Sequence, residues 1–250
     1  MKFVTFNIRC DYGQDGENCF SNRKPLILKK LRQEQPDIIC FQEVLPHVAA
    51  WLKENLAEYC VLGCGRSEVL GNEQATVAFK KERYNLIKME TYWLSETPYV
   101  PGSRYPEQSD CPRVCTELVL QDLESCRVFR VINTHLDHIG SLARKLGIAQ
   151  ILDKVKTEQF FSRIPVILTG DFNAEPDSEE IGLIEKTPGF VNVTDGIGVT
   201  YHGYGCENPE SIDYIYVKGA ETCGGAERWT DEENGVYLSD HYPVCAELNI

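Results

Sequence analysis

Eight polar side chains stand at the ends of short apolar runs: Asn7, Glu43, His135, Asp171, Asn173, Asp213, Asp240 and His241. The stretch I-P-V-I-L-T-G-D-F-N-A-E-P at residues 164–176 shows the pattern most fully. Ile164, Val166, Ile167 and Leu168 make a buried-strand signature, and Gly170 ends it. Asp171 and Asn173 then stand at its carboxyl edge, where open α/β sheets collect ligands. Two residues apart in extended chain, a carboxylate and a carboxamide point the same way. The first can deprotonate or orient a water, and the second can donate to a phosphoryl oxygen. A hard dication prefers carboxylate and amide oxygens and polarises such an oxygen. An Asp behind a His fixes its tautomer and favours its charged form, which suits developing negative charge. Singly, each residue has a plainer reading: a strand-end Asp caps backbone, and a lone His is a hydrogen-bonded bystander. Eight of them at strand termini point to one shared site.

The elements that must carry these residues read as an alternation of strands and helices. Strands are expected at 2–8, 37–43, 59–62, 75–79, 84–93, 164–169, 212–217 and 242–248, with 114–120 and 127–134 as a hairpin. A helix capped by Ser21 or Asn22 is expected to start near Pro25 and to stop at Pro36. Another opens at Pro46, and a short one covers 178–186. The longest runs from Ser141 to about Phe161, with Leu142, Leu146, Ala149 and Leu152 on one face. Residues 11–22, 95–111 and 187–209 read as loops, and one as long as 95–111 inside a compact domain is usually functional. Strands arrive partly as β-α-β units and partly as hairpins, which suggests mixed sheets packed face to face and covered by helices. No composition break, low-complexity tract or repeat marks a linker in the 250 residues, so one domain over 1–250 is expected.

Composition narrows the partners. A net charge of −13 and a pI near 4.9 argue against a broad electrostatic grip on nucleic acid. The densest basic cluster, Arg23-Lys24 with Lys29-Lys30 and Arg32, has helix spacing and reads as a solvated face. A small phosphoester fits the charge better than a long duplex, and an acidic cleft using a divalent cation explains part of it. The 11 cysteines are odd in number and scattered, several inside apolar strands (Cys10, Cys40, Cys245). With no apolar leader in view, a reducing cytoplasm is the expected location. Cys60/Cys64 and Cys111/Cys115 have C-x3-C spacing but no matching second pair, so structural zinc is not expected. Nothing approaches the ~18–20 apolar residues of a membrane span. No obligate protein partner is expected.

Six short segments carry a resemblance: T-F-N-I-R at 5–9, F-Q-E-V at 41–44, N-T-H-L at 133–136, G-D-F-N at 170–173, S-I-D-Y-I at 211–215 and S-D-H-Y-P at 239–243. In this order, and over nearly the whole chain, they resemble the endonuclease/exonuclease/phosphatase superfamily. That group contains exonuclease III, DNase I, the deadenylases, inositol polyphosphate 5-phosphatases and neutral sphingomyelinases. The resemblance implies a four-layer α/β sandwich of two mixed β-sheets flanked by helices, the DNase I-like fold. It also implies a Mg²⁺- or Mn²⁺-dependent hydrolase using direct in-line attack of water.

Carried over by position, Glu43 looks like the main metal ligand, Asn7 a catalytic residue close to the metal, and Asp240 a further ligand. Asp171 resembles the residue that activates water, Asn173 the one holding a phosphoryl oxygen, and His135 a phosphate contact. Asp213 would orient His241. One departure is Arg9, where exonuclease III-like members place an Asp; it bears on AP-endonuclease activity and on the metal count. W-L-S-E-T-P at 93–98, P-R-V-C at 112–115 and H-L-D-H at 135–138 look like a bacterial subgroup of undefined substrate. Arg113, His138 and Arg9 are its candidate substrate-binding residues; Arg113 pairing with a surface carboxylate is the other reading. The expected activity is phosphodiester hydrolysis of the nuclease type. The alternatives are hydrolysis of small or lipid phosphoesters, such as inositol phosphates or sphingomyelin, and a non-catalytic binding module on the same fold.

Overall fold

A computed structural model describes residues 1–158, 161, 163–222 and 225–250. In chain order its strands are β1 (Lys2–Asn7), β2 (Ile38–Val44), β3 (Tyr59–Leu62), β4 (Gln74–Lys80), β5 (Tyr84–Trp93), β6 (Val114–Asp122), β7 (Val128–His135) and β8 (Val166–Asp171). There follow β9 (Phe190–Asn192), β10 (Asp213–Lys218), β11 (Glu221–Thr222), β12 (Glu227–Arg228), β13 (Glu232–Glu233), β14 (Val236–Tyr237) and β15 (Val244–Asn249). The helices are α1 (Phe20–Glu34), α2 (Pro46–Asn55), α3 (Ser141–Thr157) and α4 (Glu179–Glu185).

Period-two alternation divides each central strand between two cores. In β1, Val4 and Phe6 pack outward with α1 and α2, while Phe3 packs inward. One sheet runs β11-β15-β1-β2-β4-β3, with β12 also on β15; the other runs β5-β6-β7-β8-β10-β9, and β13 and β14 pair apart. Both sheets are mixed, because β1/β2 and β7/β8 are parallel while their other ladders are antiparallel. Phe3, Cys40, Val77, Leu118, Val131, Ile167 and Ile215 fill the space between the sheets. Ile148, Ile151 and Val155 of α3 and Ile181 and Ile184 of α4 cover the second sheet's outer face. This is the four-layer sandwich. Among the described residues no helix is long and apolar enough to cross a membrane.

Toward the carboxyl ends of β1 and β8 the inter-sheet layer turns from apolar to polar. Gln42 Nε2 donates to Asn133 Oδ1 (2.7 Å) and Thr5 Oγ1 (3.1 Å), and Asn133 Nδ2 donates to the carbonyls of Phe41 (2.9 Å) and Thr76 (3.0 Å). Gln42 and Asn133 are fully buried, where most polar groups are hydrogen-bonded; Gln42 Oε1 is an exception, with no partner among the described residues. The lattice therefore fixes the two sheets against each other just beneath the functional residues.

Several expectations need correction. Helix α1 begins at Phe20, not near Pro25, and Cys19 rather than Ser21 or Asn22 holds its N-cap position. The reason is Arg23. Far from lying on a solvated face, it is fully buried and donates to the carbonyls of Ile8, Arg9, Asn18 and Leu238, locking the first turn in place. Helix α3 buries Ala143, Gly147, Ile148, Ile151 and Val155, while Leu142 and Ala149 face solvent. Small residues join the aliphatic ones on that face: a Cβ at Gly147 would come within 3.0 Å of Leu94 Cδ1, so the helix approaches closely there. Its described end is Thr157, short of Phe161; residues 159 and 160 lie outside the described residues. The loop 187–209 also contains β9, which pairs with β10.

Candidate active site

Register assembles the site. On the second sheet Asp171 stands opposite His135 of β7 on one side and Asp213 of β10 on the other. The parallel β7/β8 approach needs Gly170: its φ is 142°, and a Cβ there would sit 1.8 Å from Thr134 O. On the first sheet, β2 slips register against β4 between Phe41 and Val44, and Glu43 takes a left-handed φ of 61° in that bulge. Arg9 (φ 62°) and Asn173 (φ 47°) are left-handed too. Such non-glycine conformations cost ~1–3 kcal/mol each and cluster where the surroundings over-determine them.

The side chains then meet across the sheets. Asn7 Nδ2 lies 3.0 Å from Glu43 Oε1, 2.9 Å from Asp171 Oδ2 and 3.4 Å from His241 Nε2. Its Oδ1 accepts from Arg9 N (3.0 Å), so Asn7 ties the acids together and turns no oxygen toward them. Glu43 Oε2 accepts from Cys10 N at 2.7 Å. His241 Nδ1 pairs with Asp213 Oδ2 at 2.8 Å, and its Nε2 faces Asp171 Oδ2 at 3.7 Å. His135 Nε2 is 3.5 Å from the same oxygen. Asn173 N donates to Asp171 Oδ1 (3.0 Å), and one N–H of its amide goes to Leu136 O (3.0 Å).

These contacts set protonation. Burial works against the charge on His241, yet Asp213, then Asp171 and Asp240, push it up to about 10. Burial raises Asp171 to about 7, with the His241 charge opposing and the Asp213 charge adding. Burial also opposes ionisation of Glu43, but hydrogen bonds from Asn7 and Cys10 hold it below the ordinary carboxylate range. Burial and the charges of Arg113 and Arg66 hold His135 well below 6.5, so its imidazole is neutral. Buried Asp240 is raised, against the pull of His241 and Arg9.

All these groups border a cleft of about 400 Å³ except Asn7 and Asp213, which stand behind its lining. Arg113 and His138 line it as expected, linked by a 3.0 Å Nη2–Nδ1 contact. Arg113 does meet a carboxylate, Asp137 at 3.6 Å, but a buried one rather than a surface one. Arg9 lines the cleft with its guanidinium engaged by Asp15 and Asp240. Several wall residues escaped the sequence reading, among them Arg66, Glu73, Tyr201 and Glu210. Arg66 Nη2 pairs with Glu73 Oε1 at 2.7 Å, and the Tyr201 ring lies 4.9 Å from that of His241. The only sequence signal for them was indirect, a Gly-bracketed connection at 63–71 and the aromatic residues of 187–209.

Glu43, His135 and Asp171 bring ligand atoms within 4.8 Å of one another, a mixed set of two carboxylates and one neutral imidazole. The Nδ1 of His135 is buried and has no hydrogen-bond partner among the described residues. Hard carboxylate oxygens with an imidazole fit a small divalent cation such as Mg²⁺ or Mn²⁺.

The profile of the Endonuclease/Exonuclease/phosphatase family matches residues 4–241. A Bacteroides vulgatus structure described as an endonuclease/exonuclease/phosphatase is 30% identical, with a TM-score of 0.92, over 100% of this chain and 98% of that one. The Bacteroides thetaiotaomicron VPI-5482 mannosyl-6-phosphatase Bt3783 shares the fold over 100% of both chains at a TM-score of 0.90 and 23% identity. Nocturnin of Drosophila melanogaster is 31% identical over 169 residues, which are 63% of this chain and 24% of that protein.

Proposed function

The chain belongs to the endonuclease/exonuclease/phosphatase family, and from that premise we propose that it is a divalent-metal-dependent phosphoesterase acting on a small phosphorylated molecule. The observation that carries the reading is the line Asp213–His241–Asp171 laid beside the ionised Glu43 in one cleft. Glu43 would anchor the cation, with His135 beside it. The cation's contribution is to polarise the phosphoryl oxygen and offset its growing charge.

The chain's own residues supply the rest. Asp171, with a carboxyl raised toward neutrality, accepts the proton of the attacking water; a base poised near the working pH is the efficient one. His241, held charged by Asp213, donates from Nε2 to the oxygen on which negative charge builds. Asn173 Nδ2 keeps its second N–H free for a phosphoryl oxygen, because the first is spent on Leu136 O. Asn7 spans Glu43 and Asp171 and sets their spacing.

Substrate size follows from the wall. Three arginines line the cleft, Arg66 and Arg113, both buried, and Arg9, whose guanidinium is engaged by Asp15 and Asp240, on a chain of net charge −13. Burial and then Arg66 push Arg113 below its ordinary value, and although Glu73 and Asp137 face the pair, Arg66 Nε and Arg113 Nε and Nη1 have no hydrogen-bond partner among the described residues. That arrangement fits a compact phosphate group better than a polynucleotide backbone, which needs a long basic track. A name such as mannosyl-6-phosphatase on a fold relative agrees with a small phosphomonoester. Besides the family resemblance, one feature of the cleft favours the nuclease-type reading, the Tyr201 ring beside His241, which could stack a base.

The test is a Mn²⁺-supplemented screen of sugar phosphates, inositol phosphates, nucleotides, phospholipid head groups and single- and double-stranded nucleic acids. Turnover is expected on small phosphoesters, with none in Asp171→Asn protein. Turnover confined to nucleic acids and falling steeply with salt would overturn the substrate assignment. Binding of a small phosphoester with no turnover of anything would identify a binding module.

A further inference from the structure

Arg9 leaves β1 two residues after Asn7, and the fold anchors its backbone from both sides. Its N–H donates to Asn7 Oδ1 at 3.0 Å, and its carbonyl accepts from Arg23 Nη2 at 3.2 Å. Its guanidinium is gripped as a fork: Nε to Asp15 Oδ2 and Nη2 to Asp15 Oδ1, each 3.1 Å, the geometry that matches arginine to a carboxylate. Nε also lies 3.4 Å from Asp240 Oδ2. Both acids are nearly buried, so the contacts are little screened by water. Asp240's other oxygen, Oδ1, accepts from Ser239 Oγ at 3.1 Å.

These distances bear on where a metal ion fits. Among the described residues, the carboxylate and imidazole atoms close enough to share a cation are those of Glu43, His135 and Asp171, and of Asp171, Asp213 and His241; Asp240 is in neither group. A divalent ion at Asp240 would have to displace the guanidinium or stand a few ångströms from its fixed positive charge. We propose that Arg9 is a built-in cation for Asp240, so that this cleft takes one divalent ion, at Glu43, and Asp240 is not a metal ligand. The proposal rests on the metal-dependent reading above, and it replaces the expectation that Asp240 completes the ion's ligand set. A side-chain cation cannot be chelated or exchanged, so the positive charge beside Asp240 would be independent of metal supply.

The test is Mn²⁺ binding to the full chain, followed by isothermal titration calorimetry and by the loss of the free-ion electron paramagnetic resonance signal. Wild-type protein is expected to bind one Mn²⁺ per chain. Asp240→Asn protein is expected to bind one with an affinity within threefold of wild type, and Glu43→Gln protein to bind at least tenfold more weakly. Arg9→Asp, which puts a carboxylate where the guanidinium was, is expected to take up a second ion. Arg9→Gln serves as the milder variant if Arg9→Asp melts early. Two ions on the wild type, or loss of the ion in Asp240→Asn, would overturn the proposal while leaving metal-dependent hydrolysis standing. Wild-type protein that hydrolyses phosphoesters but binds no Mn²⁺ would instead bring down the metal-dependent reading, and this proposal with it.

Discussion

Two buried charged regions sit a few residues apart at the end of β1, and they behave oppositely. Arg23, fully buried, spends its guanidinium on four backbone carbonyls and has no orphaned nitrogen among the described residues. The cleft floor has the reverse balance. Asp171, Asp213 and Asp240 are as deeply buried, with Glu43 beside them, and they share one charged imidazole, one arginine and the amide of Asn7. A buried charge whose partners are all supplied by the fold holds structure; a group of buried charges left short of partners is poised to bind or react.

If the contrast is real, substitution should separate stability from activity. The largest effect is expected from Asp171→Asn: hydrolysis falls on the order of 10³-fold, within the range for loss of a general base. The melting temperature holds or rises, because a carboxyl strained by burial is gone. Steady-state assays and thermal melts on the same preparation read both. A drop in melting temperature comparable to that of an Arg23 variant would erase the distinction. Asp213→Asn is expected to cost about 10²-fold at neutral pH and to shift the pH profile. His241 acts charged, and Asp213 is what lifts it, so the alkaline limb moves from near 10 toward the ordinary histidine value. An unchanged limb would mean that His241 does not titrate in the reaction.

Arg23→Leu should do the opposite of Asp171→Asn. It strands four carbonyls and removes the lock on α1, costing about 3 kcal/mol of unfolding free energy in urea titrations. The residual folded enzyme should keep its rate within a few-fold. Metal-free protein offers a gentler probe. The folded pKa of His241 is raised, so its stabilisation is complete below the unfolded value of about 6.5 and is lost as pH rises through about 10. Asp171, also raised, favours the protonated folded form, and stability falls as pH climbs from the ordinary aspartate value of 3.8 through about 7. Both slopes run downward with pH. A metal-free melting temperature that climbs between pH 6 and 9 would contradict them. Gln42→Leu, in the lattice beneath the site, should have the smallest effect, about 1–2 kcal/mol of stability.

Much of the architecture was legible because central strands such as β1 and β8 carry aliphatic and aromatic residues that give way to polar ones at the strand end. Strands of two residues, such as β13 and β14, are too short to carry a period. The α1 start was hidden because a buried arginine, not a capping side chain, defines it. The α3 face was hidden because Gly147 and Ala143 touch the core by virtue of smallness, which a hydrophobic stripe does not report. At the site, residues in strand register, such as His135, Asp171 and Asp213, announce themselves at strand ends. Arg66 and Glu73 arrive on a loop whose path no local pattern encodes, and their place in the cleft emerges only from the tertiary fold.

The central claim is that Glu43 seats a cation which the acids and His241 need for phosphoester hydrolysis. The most direct measurement is the rate on a responsive small phosphoester as Mn²⁺ is titrated into chelator-stripped wild-type and Glu43→Gln protein. The account predicts saturable activation of the wild type from a negligible baseline and at least a hundredfold lower rate for the variant at every concentration. Full activity of either protein in excess chelator would contradict it.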